Sequence, residues 1–150
     1  MSGFAIAQAG IFVVAAGLAL ATQRRRGPLT GAHAAIAVMV GALAVGTSSH
    51  VENIARSGWQ PRPEEPLAFN LFWTSLVALD PLAALLLLAR PRAGLALTLG
   101  IMAADLAVNL SAFGAVLLTP AGWFLWWQLG FGLFVAAAAP LCWRAVGRAT

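Results

Sequence analysis

Long apolar runs alternate with short polar breaks along the chain, and the length of the runs decides the architecture. About 20 consecutive apolar residues make one helical membrane span. Five such runs can be drawn, over residues 4–22, 32–49, 67–89, 93–118 and 123–143. The breaks carry stop signals. Arg24-Arg25-Arg26 closes the first run, a proline-rich stretch from Gln60 to Pro66 precedes the third, and Arg90 and Arg92 flank the link from third to fourth. Thr119-Pro120-Ala121-Gly122 is a turn sequence ahead of the fifth. The pattern predicts an all-α, polytopic membrane protein: a single transmembrane domain over 1–150, five helices in a bundle, with a loop over 50–66. Ala42 and Gly46 stand at the small-xxx-small spacing that lets helices approach closely in lipid. No internal repeat is visible.

Charge orients these spans. All nine basic residues are arginine. With the N-terminus outside, Arg24, Arg25, Arg26, Arg90, Arg92, Arg144 and Arg148 fall on the inner side, and only Arg56 and Arg62 on the outer. That is the bias of the positive-inside rule, so the expectation is N-out and C-in. Signal peptides carry positive charge before their apolar region. Here three arginines follow the first run and none precedes it, which reads as a retained helix.

Composition narrows the class. Apolar residues make up 61% of the chain and charged residues 9%, against about 25% charged in soluble domains. With a mean hydropathy of +0.85, the expected location is a bacterial inner (cytoplasmic) membrane. The pI near 11.5 then marks orientation, and nucleic acid is excluded as a partner. Without lysine there is no Schiff-base chemistry. With Cys142 the only cysteine there is neither an internal disulfide nor a CxxC redox pair.

Chemistry must lie in what interrupts the apolar pattern. Asp80 and Asp105 both fall about 15–18 Å from the inner interface, where a carboxylate costs about 2.5–3.5 kcal/mol. Intramembrane acids at one depth belong in the bundle interior and mark a ligand or proton site; the alternative is a structural hydrogen bond. Asn109 lies four residues after Asp105, on the same helical face, and Met102 and Ala112 continue that stripe. Gln128 in the fifth run falls near the depth of Asn109. Pro81 removes a backbone donor beside Asp80, and broken helices next to polar groups recur at membrane sites. His50 ends the second run with Glu52 two residues on, a pair able to shuttle protons or simply to reach into headgroups. His33 is about 25 Å away along the same helix, so the two histidines cannot share a haem or metal. No cofactor and no metal is expected. Of six tryptophans, Trp59, Trp123 and Trp143 fall at interfaces. Trp73, Trp126 and Trp127 fall deeper, where Trp73 and Trp127 could face a cationic ligand or serve packing.

Five spans in this orientation, with a histidine ending the second, resemble the superfamily of the emopamil-binding protein and the sigma-2 receptor, whose shared unit is the EXPERA domain. The matching segments are Ser49-His50 followed by an acid, Asp80-Pro81-Leu82 running to Arg90, Gly100-Ile101-Met102-Ala103-Ala104-Asp105, and the aromatic fifth span from Trp123 through Phe134 to Pro140. The likeness covers residues 33–148. It implies an intrabundle site for sterols or amphipathic amines and, in some members, acid–base isomerisation of a sterol double bond. The isomerases place an acid four residues after the histidine, where this chain has Ile54, and a second acid where it has Phe72 and Trp73. Phe134 and Ala137 stand where their last span carries Asn and Trp. The resemblance therefore implies binding more than isomerase activity.

The leading expectation is a pocket built from Asp80, Asp105, Asn109, Gln128, Trp73 and Trp127, binding a hydrophobic or amphipathic, cationic small molecule. His50 and Glu52 stand at its outer mouth, and His50, Glu52, Asp80 and Asp105 are the candidates for any acid–base catalysis. Two rivals are a proton- or cation-coupled small transporter and an accessory subunit of a larger membrane complex. Homo-oligomerisation stays open.

Overall fold

The computed structural model describes residues 3–25 and 27–146. Arg26 and Arg148, two of the arginines assigned to the inner side, lie outside the described residues. Five α-helices make the fold: α1 (Gly3–Arg24), α2 (Gly31–Ser57), α3 (Leu67–Ala89), α4 (Pro91–Phe113) and α5 (Trp123–Val146). Single 3₁₀ turns at Gly114–Val116 and Pro120–Gly122 link α4 to α5, and no strand occurs among the described residues. All five helices are long and apolar enough to cross a membrane.

Successive helices run antiparallel. Each of α2, α3, α4 and α5 packs on the next, and α5 returns to α2, so these four close into a ring. The Cys142 thiol of α5 points at the Ala32 carbonyl of α2, 3.7 Å away, across the closing seam. Helix α1 stays outside the ring. It leans on α2 and barely touches α3, and its far face, with Ile6, Val13, Val14 and Leu18, is exposed. One end of the bundle carries Glu52, Glu64 and Glu65 and is called the acidic end. The opposite end carries Arg24, Arg25, Arg90, Arg92 and Arg144 and is called the arginine end.

The interior follows helical periodicity. On α3 the buried positions are Asn70 near its start and then Trp73, Leu76, Asp80, Ala83 and Leu87, the last five at the alternating three-and-four spacing of a packed seam. On α4 Thr98, Met102, Asp105 and Asn109 continue the same rule. Both acids thus occupy core positions of their helices. Ile36, Met39, Val40 and Leu43 supply the facing stripe of α2.

Two boundaries differ from expectation, and at Pro81 the structure decides between the alternatives of a broken and a continuous helix. Helix α2 does not stop at Ser49 but runs to Ser57, so the loop is 58–66 and not 50–66. Glu52 and Arg56 pair one turn apart, which supports a polar helical extension. Gly58 then ends it with φ 78°, its N–H donating to the Ile54 carbonyl at 2.8 Å. Helix α4 ends at Phe113, five residues short of the expected Leu118, because the chain tightens into the 3₁₀ turn at Gly114. Helix α3 passes through Pro81 unbroken, so there is no discontinuous helix beside Asp80.

Candidate functional site

Asp80 and Asp105 project from adjacent seams of α3 and α4 and are 4% and 8% exposed. They are near enough for the charge of one to act on the other. Asp80 lies about 20 Å along α3 from its start at the acidic end, and Asp105 about 12 Å along α4 from the same end. Both therefore sit in the middle to acidic half of the bundle.

Each acid has its own surroundings. Asp80 Oδ2 faces His50 Nε2 on α2 at 4.0 Å, ion-pair contact but longer than a hydrogen bond. The carboxyl rests on α2 at Gly46, where an added Cβ would stand 2.6 Å from Oδ2. Gly46 and His50 are one turn apart and form a notch that only glycine leaves open. Asp105 Oδ1 accepts a hydrogen bond from Asn109 Nδ2 at 2.7 Å. Asn109 Oδ1 in turn accepts one from the Trp73 indole N–H at 3.1 Å. The amide is thereby fixed in orientation, and the indole bridges α3 to α4.

This network continues to the acidic end through aromatic contacts. Trp73 stacks on Phe113 with ring centres 5.8 Å apart, and Phe69 meets its edge at 6.1 Å. The Arg62 guanidinium lies over Phe113 at 4.5 Å. Asn70 fixes the loop that delivers Arg62: its Oδ1 accepts from the Arg62 backbone N–H at 2.9 Å, and its Nδ2 donates to the Arg62 and Glu65 carbonyls.

Of the residues expected at a site, His50, Asp80, Asp105, Asn109 and Trp73 are brought together. Glu52 is not, because it faces Arg56 on its own helix and leaves His50 to Asp80. Trp127 is 74% exposed and points away from the cluster. Gln128, expected in the pocket, is half-buried, and its Oε1 has no hydrogen-bond partner among the described residues, so that oxygen is not tied to the cluster. His33 belongs to the start of α2, where its Nδ1 accepts from the Thr30 N–H at 3.0 Å. No group of three metal-binding side chains exists among the described residues.

Sequence reading missed Phe113, Phe69, Arg62, Asn70 and the role of Gly46. Four-residue spacing was the available signal: Asp105, Asn109 and Phe113 form one line on α4, as do Phe69 and Trp73 on α3. Ala112 packs against the core as expected, and its neighbour Phe113 does so too and carries the aromatic contacts.

The chemistry available is that of two carboxyls and one imidazole without a fixed cation. Arg56 is engaged with Glu52, and Arg62 with Phe113 and Glu64. Two shallow apolar grooves mark the outer surface, one on α1 beside Gly10 and Val14, the other between α4 and α5 beside Leu99 and Pro140. Neither borders the acids, whose surroundings are closely packed. Comparison with protein-family models, with curated proteins and with solved structures finds no match to this chain.

Proposed function

We propose a five-span, N-out and C-in protein of a bacterial cytoplasmic membrane that binds a small amphipathic amine at the Asp80–Asp105 pair. The observation that carries the reading is a buried acid pair with no arginine assigned to it. In an apolar ring such a pair is tolerated only when protons or a mobile cation neutralise it. An ammonium group supplies that charge, and its alkyl part suits the apolar surroundings. His50, its side chain 20% exposed, faces Asp80 from α2 on the side of the pair nearer the acidic end. The EXPERA resemblance supports the same ligand class.

A long-chain alkylamine and the alcohol of equal length, titrated against protein in nanodiscs, test this directly. The amine binds and the alcohol does not, and Asp105→Asn weakens the amine by about 1.5–3 kcal/mol, the worth of a charged hydrogen bond. Equal binding of the two would remove the carboxyls from recognition and end the proposal.

The His50–Asp80 contact favours one second reading, proton-coupled transport, because it sets a titratable partner between the acid and the acidic end. Amine-dependent proton flux in proteoliposomes, lost in Asp80→Asn, would select it over binding alone.

A further inference from the structure

All five acidic residues of the chain lie at the acidic end or in the interior; the arginine end has none. Among the described residues no acidic side chain compensates the positive charge there, and one of its arginines is held against a ring. The Arg92 guanidinium lies over the Trp143 ring, 5.8 Å from its centre, at the start of α4 and the last turns of α5. Trp143 also walls a groove between these helices, lined further by Leu99, Ala136, Ala139 and Pro140. The groove has a local cause. Alanines leave the α5 surface low, and Pro140 has no N–H to give the Ala136 carbonyl one turn back. Arg90 and Arg144, both exposed, stand at the same end.

We infer that this groove is a binding site for one anionic phospholipid, an acyl chain lying along Leu99, Ala136 and Pro140 with its phosphate on Arg92. Charge complementarity commits the site to that occupant. An apolar trough opening under a stacked, uncompensated arginine matches a chain joined to an anion, and anionic lipids are the anions concentrated at a cytoplasmic membrane face. Orientation by positive charge needs arginines only somewhere in the inner loops; it needs neither the stacking on Trp143 nor the groove beneath it. The inference rests on the helices spanning a membrane with the arginine end at the cytoplasm, as proposed above, and is independent of the acid pair.

The test measures thermal stabilisation and lipid retention by native mass spectrometry. Protein in a zwitterionic phosphatidylcholine background receives phosphatidylglycerol, phosphatidylcholine or inorganic phosphate, with stability in phosphatidylcholine alone as the baseline for each variant. Phosphatidylglycerol is retained and stabilises, and the other two do not. Arg92→Gln weakens retention about five-fold, the worth of one arginine at a charged membrane surface. Ala136→Phe, a change at an exposed position that fills the trough, weakens it while leaving Arg92 in place. Equal retention of both lipids overturns the inference, as does stabilisation by phosphate alone. So does a loss in Arg92→Gln that Ala136→Phe fails to reproduce, which would mean surface attraction without a groove.

Discussion

At the scale of single residues, Asp105 has the clearest consequences because its partners are known. Asparagine at 105 keeps the volume and still offers an oxygen to Asn109 Nδ2, so the bond to Asn109 and the link to Trp73 survive. Melting temperature should hold or rise, since an ionisable group leaves the interior. Leucine at 105 removes the acceptor and strands a buried amide, which costs about 1–3 kcal/mol. Thermal unfolding of the two variants side by side separates charge from hydrogen bonding; equal losses would mean that the carboxylate itself holds the fold. Gly46→Ala tests the other acid. The new Cβ would drive the Asp80 carboxyl off α2, while alanine gains about 0.5–1 kcal/mol over glycine inside a helix. Stability should therefore change little while amine affinity falls several-fold by titration. Unchanged affinity would show that the notch is not part of the site. Sequence could place both acids inside because their depth and cost are local properties. It could not pair His50 with Asp80, because which turn of α2 faces which turn of α3 depends on packing. Glu52, two residues from His50, was the nearer partner along the chain and the wrong one in space.

Whole helices answer to different forces. In lipid the hydrophobic effect does not drive helix against helix, so packing and hydrogen bonds decide. Helix α1 illustrates this: its polar hold on α2 is Gln8, which donates from Nε2 to Ser49 Oγ at 3.3 Å and accepts at Oε1 from Ser48 Oγ at 2.8 Å. Ser48 also reaches the Val45 carbonyl at 2.9 Å and keeps a partner without Gln8. Gln8→Leu should therefore loosen α1 by about 0.6–1.7 kcal/mol, the range found for hydrogen bonds between membrane helices. Faster disulfide exchange or weaker crosslinking between cysteines placed across α1 and α2 reads this out. Crosslinking at the wild-type rate would assign the contact to apolar packing alone. The number of helices was legible from run length, and the starts of α3 and α5 from Pro66 and the Thr119–Gly122 turn. The eight extra residues of α2 were not, because the polarity of His50, Glu52 and Asn53 resembles a loop until the Glu52–Arg56 pair is seen to be helical. Hydropathy reports what lipid tolerates, and a helix can continue past that limit into water.

For the molecule as a whole, the distribution of arginine makes the strongest commitment. Arg24, Arg25, Arg90, Arg92 and Arg144 share one end, while Glu52, Glu64 and Glu65 share the other with Arg56 and Arg62. On the proposed orientation, the positive-inside bias turns the arginine end to the cytoplasm and sets His50 on the outer side of the acid pair. Cysteine labelling decides the matter, and the chain is well suited to it. Its one natural thiol, Cys142, is fully buried and makes only a weak contact to the Ala32 carbonyl, so Cys142→Ser gives a silent background. In that background Arg25→Cys and Glu64→Cys each replace an exposed residue. An impermeant maleimide should label position 64 in intact cells and position 25 only after permeabilisation. Labelling of 25 but not 64 would invert the protein, place the amine approach on the cytoplasmic side, and put the Arg92 groove in the outer leaflet. Labelling of both in intact cells would be incompatible with an odd number of spans between them, and with five membrane-crossing helices altogether.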